Sequence, residues 1–176
     1  MFGSAHQALM FAYTFSANQY GVTAAAERLI ASFGRDRYER LEAVARGRGL
    51  RGLDGAAQAG MIKRIAEDLP ALQHLAVEAR FNVLARDRQN VAIGLMALGV
   101  RKQLGITDPT QLVVSLVGKH YGRDAEIEQL GENAGIPKRT MIRRWVEIRR
   151  KLREVDQRAL DLVEDALAQR GVVQHA

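Results

Sequence analysis

Apolar residues return along this chain at intervals of three and four, and nowhere alternate with polar ones for long enough to predict a strand. Ala5 to Gln19 carries Leu9, Met10, Phe11, Tyr13 and Phe15 on more than one face, with Tyr20 just beyond. That predicts a helix buried in the core, a reading that outweighs a partner groove. Thr23 and Glu27, one residue off the capping-box spacing, predict a second helix ending near Phe33-Gly34. Asp54-Gly55 starts another over Ala56 to Leu69, with Met61, Ile62 and Ile65 facing inward. Leu69-Pro70 breaks the chain and restarts it over Ala71 to Val83, with Leu72, Leu75, Val77 and Phe81 apolar. Arg86 to Leu104 follows, weakened by Gly94 and Gly99, small residues that also permit a close helix crossing. Thr107-Asp108-Pro109 starts the next helix, which Leu112, Val113, Leu116 and Val117 carry to Tyr121.

From Arg123 to Leu152 the pattern is denser. Asp124 is placed to cap a short helix with Ile127, Leu130 and Ala134 on one face. Gly135 supplies a left-handed exit, and Pro137 stands where a new helix starts. Met141, Trp145, Ile148 and Leu152 then recur at four, three and four, and Val155, Ala159, Leu162 and Ala166 continue the series. The spacing predicts one helix to about Gln169, roughly 50 Å long, ended by Gly171. Its apolar seam suits either a two-stranded coiled coil, weakened by two alanines, or packing against the N-terminal helices. The fold class is therefore all-α: a helical bundle with a C-terminal helix-turn-helix whose second helix continues as a long terminal helix. Three parts are expected: an N-terminal helical region at 1–104, a DNA-binding unit at 107–153, and a helical extension with its tail at 154–176.

Charge sharpens this picture. Lys138, Arg139, Arg143, Arg144, Arg149, Arg150, Lys151 and Arg153 face a single acid, Glu147, which makes this piece +7 in a chain of +6. A solvated helix face is the usual fate of a charge run, but such a face interleaves Glu at four-residue spacing. The preceding helix is acidic instead, with Asp124, Glu126, Glu128 and Glu132. Two helices, a tight Gly turn and a basic second helix point to a helix-turn-helix that enters the major groove of double-stranded DNA. On that reading Lys138, Arg139, Thr140 and Arg143 meet base edges, and Arg139 and Arg143 each offer a fork to guanine. Arg144, Arg149, Arg150 and Lys151 meet phosphates. Met141, Trp145 and Ile148 belong to the core, with base stacking by Trp145 a minor alternative.

The run IEQLGENAGIPKRTMIRRWVEIRRKL resembles the helix-turn-helix of sigma-factor region 4. Ile127, Leu130 and Gly131 fall on its apolar-x-x-apolar-Gly, Ile136 on its apolar turn residue, Met141 on the buried position of its second helix, and Arg150-Lys151-Leu152 on its closing run. Pro137 replaces the usual Ser or Thr cap, and Ile142 a usual polar residue. The layout as a whole resembles phage late antitermination proteins of the Q type, with DGAAQAGMI at 54–62 and LVGKHYG at 116–122 adding to the likeness. The resemblance implies a transcription regulator in the cytoplasm of a bacterial host cell. It would bind DNA near a promoter and then join RNA polymerase, making transcription ignore terminators. The cysteine cluster of some members is missing, so no zinc feature carries over. A promoter-occluding repressor and a ring-forming DNA-packaging protein of the small-terminase kind remain the alternatives.

Other chemistry finds little footing. Arg35 to Leu53 holds Arg35, Arg37, Arg40, Arg46, Arg48 and Arg51 among Gly47, Gly49 and Gly52. It reads equally as a surface linker and as a segment in which Arg46, Arg48 and Arg51 contact nucleic acid or polymerase. His6, His74, His120 and His175 lack metal-helix spacing, and there are no cysteines, which excludes disulfides and thiolate zinc sites. Ser4 near His6 has no orienting acid, and GLRGLDG at 49–55 lacks the lysine of a phosphate loop. His120 beside Tyr121 suits a helix-end cap better than a phosphate contact. No catalytic residue, cofactor or metal is expected. No apolar run is long enough to span a membrane, and the first residues lack the cationic start of a secretory signal, so they are read as mature sequence. A pI near 10.1 suits a phosphate-rich partner; oligomeric state is left open.

Overall fold

The computed structural model of the chain describes residues 2–19, 53–83 and 85–172. Among them it has seven helices and no strand: α1 (Ala5–Gln19), α2 (Leu53–Glu67), α3 (Ala71–Phe81), α4 (Arg86–Leu104), α5 (Thr110–His120), α6 (Ile127–Asn133) and α7 (Lys138–Gln169). The all-α architecture is thus the one that the three-four periodicity predicts. The expected helix after Thr23, the Arg/Gly segment with Arg46, Arg48 and Arg51, and His175 in the tail lie outside the described residues.

The described residues group into two compact units, those within 1–69 together with those from 160 on, and those within 70–159. These boundaries differ from the three parts 1–104, 107–153 and 154–176. The reason is packing: α3 and α4 pair with each other and α4 with α5, which keeps all three with the basic helix, and the end of α7 belongs with the N-terminal helices.

In the first unit α1 packs on α2. Leu9, Phe11 and Tyr13 are buried from α1, Ile62 and Ile65 from α2, and Val163 and Leu167 from the end of α7; Met61, expected inside, is only partly covered. The Phe2 N–H donates to the Val172 carbonyl (3.0 Å), and the Ala5 N–H to Glu164 Oε2 (3.3 Å), which sets a carboxylate at the positive end of α1. The helix end therefore packs on the N-terminal segment, the second of the two seam outcomes. Gly171 (φ +66°) closes it, with Val172 N–H bonded to the Leu167 carbonyl and Gly171 N–H to that of Ala168.

In the second unit Ala76, Val77, Ile93, Met96, Val100, Leu112, Val113, Leu116, Met141, Ile148 and Leu152 form the core. Gly99 is where α3 and α4 cross closely, since a Cβ there would fall 2.6 Å from Leu72 Cδ2. Gly94, the other glycine of that helix, faces open space.

The seam of α7 departs from the strict heptad. Val163 and Leu167 are buried in place of Leu162 and Ala166, and Trp145 is only partly covered. The buried side steps by eleven residues, Met141 to Leu152 to Val163 and Ile148 to Ala159. A straight α-helix drifts about 20° per heptad from a 3.5-residue repeat. Trp145 therefore starts at the edge of the stripe, and the stripe has moved past Leu162 by the last turns. A left-handed coiled coil requires the heptad instead.

Candidate nucleic-acid interface

The candidate interface is built on a turn. α6 ends at Asn133, and Gly135 (φ +66°) reverses the chain, with Ile136 N–H bonded to the Gly131 carbonyl at 2.8 Å and Gly135 N–H to that of Glu132 at 3.1 Å. The left-handed conformation costs an L-residue roughly 1–2 kcal/mol, and glycine almost nothing. The Pro137 carbonyl accepts the first bond of α7 from Met141 N–H (3.0 Å), as its place before Lys138 predicts. Gly131, buried in α6, lies under Met141. Asp124 is not the cap: Glu126 occupies that position and makes no side-chain capping bond. The loop before α6 is held another way. Lys119 Nζ donates to the Ala125 carbonyl, and Arg123 lies across Gly118 and donates to Asn90 in α4.

The eight cations of α7 between Lys138 and Arg153 divide into two sets. Arg139, Arg143 and Arg153 are exposed and have no acidic partner among the described residues, and the same holds for Arg158 further along the helix. The other five are engaged. Lys138 meets Glu128 at 2.8 Å, Arg150 and Lys151 share Glu154 at 3.2 and 3.5 Å, and the Arg149 guanidinium lies 5.9 Å from the centre of the Trp145 ring. Arg144 Nε stands 3.0 Å from Asp108 Oδ2, with its N–H not aligned for a hydrogen bond, and Arg144 Nη1 is 3.8 Å from Glu147.

Burial decides which pairs can be exchanged. The Glu128 and Glu154 side chains are 59% and 50% exposed, and those of Lys138 and Arg150 more so; contacts to such solvated acids are worth about 0–1 kcal/mol, so a phosphate can displace them. Lys151 is itself 29% exposed, and it is the solvated acid that lets its pair open. Asp108 and Arg144 are shielded, with side chains 19% and 31% exposed. Arg144 is therefore a brace between the start of α5 and α7, not a free phosphate contact. Sequence spacing missed this because Asp108 lies 36 residues away. It missed Glu154 because that acid falls one residue past the basic run.

The outward face has an apolar centre. Ile142 and Val146 are exposed one turn apart, between Arg139 and Arg143 on one side and Arg149 on the other. Thr140, expected at the base edges, is partly covered.

Behind this face sits a polar cluster with no counterpart in the sequence reading. Asp156, buried in α7, takes Arg80 Nη1 at 3.1 Å and His120 Nε2 at 2.9 Å on Oδ2, and accepts the Tyr121 hydroxyl at 3.0 Å on Oδ1. Burial first, then the charge of Asp156 and the hydrogen bond to it, push the Tyr121 phenol well above its usual range. His120 is thus neither a helix cap nor a phosphate ligand; it packs edge-on against Tyr121 and turns its Nε2 inward. The available signal was an acid at position 156, on the same side of α7 as Leu152 and Ala159.

Compared with protein-family models, curated proteins and solved structures, the chain matches none. No helix among the described residues is long and apolar enough to cross a membrane.

Proposed function

We propose that this protein is a sequence-specific regulator of transcription that binds double-stranded DNA through the first four turns of α7. The observation that carries the reading is the set Arg139, Arg143 and Arg153, exposed on one helix with no acid among the described residues to neutralise them. Keeping several like charges together on a helix costs stability, and a polyanionic partner offsets that cost. The tight Gly135 turn and the α6–α7 contact at Gly131 support a helix-turn-helix, in which the second helix lies in the major groove. Arg139 and Arg143 then fork onto guanine, and Ile142 and Val146 contact thymine methyl groups. Lys138, Arg150 and Lys151 exchange their solvated acids for phosphates, and with Arg149 they set the register.

The reading is of a binding protein and not of an enzyme. The Asp156–His120 pair, the arrangement nearest to a catalytic dyad, is locked by Arg80 and Tyr121. Within the DNA-binding class, antitermination through RNA polymerase in a bacterial cytoplasm is the form that the Q-type resemblance favours. A repressor needs no polymerase contact, and a packaging protein forms a ring.

The test is recovery of duplex fragments from the source genome on the purified protein at two salt concentrations. A discrete site that survives the higher salt is expected, and its place beside a promoter separates regulation from packaging. Uniform recovery that salt erases leaves only phosphate attraction and removes base reading by Arg139 and Arg143. Polymerase that co-purifies with the protein–DNA complex separates the antiterminator from the repressor.

A further inference from the structure

The Asp156 cluster holds one cation that the fold does not use up. Arg80, at the end of α3, places Nη1 3.1 Å from Asp156 Oδ2, and its side chain is 43% exposed where that of Asp156 is 7% exposed. The carboxylate therefore grips the guanidinium from the protein side. A guanidinium carries five donors in a planar fork, and Arg80 makes no other hydrogen bond or ion pair among the described residues. Asp156 is not committed to Arg80 alone, since His120 Nε2 shares Oδ2 and the Tyr121 hydroxyl binds Oδ1. What remains is a half-exposed fork with spare donors, oriented by a buried anchor.

Arg153 stands beside it. It precedes Asp156 by three residues on α7, and such positions are neighbours, about 5–6 Å apart between Cβ atoms. Helical side chains lean toward the N-terminus, which brings the Asp156 carboxylate, and Arg80 with it, toward the level of Arg153. Arg153 is exposed and has no acid among the described residues. Two guanidinium groups from different helices thus flank one patch of surface, the first fixed in direction and the second free to swing. The neighbouring acids are taken: Asp156 is buried with three donors on it, Glu154 holds Arg150 and Lys151, and Glu78 accepts from Asn82.

A phosphodiester suits this pair, because its two free oxygens share one charge and accept from forks on two sides. The patch also falls where a groove-binding helix meets the backbone. Arg153 lies about 15 Å beyond Arg143 at the usual rise, and the major groove is about 12 Å wide. A straight helix that reads bases at Arg139 and Arg143 has therefore come to a bordering strand by Arg153.

We propose that Arg80 and Arg153 together bind one phosphate of the DNA backbone, with Asp156 as the positioning residue that aims Arg80. The site rests on the reading that α7 binds duplex DNA, and adds to it a contact from outside the helix-turn-helix.

The test walks a single uncharged methylphosphonate along each strand of the duplex recovered from the genome, with affinities read by fluorescence anisotropy. The wild type is expected to weaken at every phosphate it contacts. At one or two adjacent positions that loss, about three- to tenfold, is expected to vanish in Arg80→Ala and in Arg153→Ala, and to persist elsewhere. On recovered and scrambled duplexes alike, Arg80→Ala is expected to lower the salt slope by about 1. Its preference between the two duplexes is expected to stay that of the wild type, and its helical circular dichroism to stay intact. If Arg80→Ala keeps the wild-type sensitivity at every position, or the wild-type salt slope, the phosphate site is overturned and the DNA reading stands. Losses that shrink evenly at all positions reflect a general change of charge and overturn it equally. A wild type that binds neither duplex overturns both.

Discussion

Met141 lies against the bare backbone of Gly131: a Cβ built on that glycine would sit 3.1 Å from Met141 Cγ and 3.2 Å from the Ile136 carbonyl oxygen. A glycine of α6 and the first buried residue of α7 are thereby fixed to one another, and this contact sets the direction in which α7 leaves the turn. Gly131→Ala gains about 1 kcal/mol of helix propensity, which offsets much of the crowding. Gly131→Val has no such offset and overpacks the contact, so a loss of about 1–3 kcal/mol is expected in urea denaturation.

The cluster at Asp156 predicts a larger effect from a residue far from the exposed cations. Asp156→Ala leaves Arg80, His120 and Tyr121 without their shared acceptor. Breaking a fully buried pair costs about 3–5 kcal/mol, and the half-exposed Arg80 regains water, so about 2–3 kcal/mol is expected by chemical denaturation. Arg80→Ala is expected to cost about 1 kcal/mol or less, because its own end of the pair is already in solvent.

Tyr121 gives the fold an alkaline limit. Its phenol is raised in the folded protein above the usual value of about 10. The stability it supplies is therefore complete below that value and is lost as pH climbs from there toward the folded pKa. In an ultraviolet titration, at least one of the four tyrosines is expected to ionise only as the protein unfolds. Tyr121→Phe is expected to lose that late-ionising phenol and to flatten the decline of stability above pH 10.

Arg144 and Arg143 are neighbours with opposite expected roles. Arg144→Ala removes the brace to Asp108 and is expected to lower the thermal midpoint while changing DNA affinity little. Arg143→Ala is expected to leave the midpoint unchanged and to cost about 1–3 kcal/mol of binding at one base position. Melting curves beside binding isotherms for the two variants check both halves of the prediction.

The helices were legible because burial is periodic and breakers mark its ends: Pro70, Gly105, Gly135 and Gly171 fall at or just outside helix ends in the structure. Gly131 stood out in the sequence only as the glycine of the sigma-like motif, and its close approach to Met141 is a finding of the structure. What the sequence hid depends on residues distant along the chain. Asp108 removes Arg144 from the free cations, and Arg80, His120 and Tyr121 converge on an acid 35 or more residues later. A local window also misjudged Trp145 and Leu162, because the buried stripe of a straight helix drifts away from a heptad that looks unbroken over any two turns.

The central claim, that the free arginines of α7 bind duplex DNA, is tested most directly by fluorescence anisotropy over a series of salt concentrations. The duplex used is a fragment recovered from the genome. The wild-type protein is expected to bind with log affinity falling linearly in log salt, and Arg153→Ala to reduce that slope by about 1. The double variant Arg139→Ala/Arg143→Ala is expected to bind the selected fragment no better than a scrambled duplex. An unchanged slope and an unchanged preference in these variants, or no duplex binding at low salt, would contradict the account.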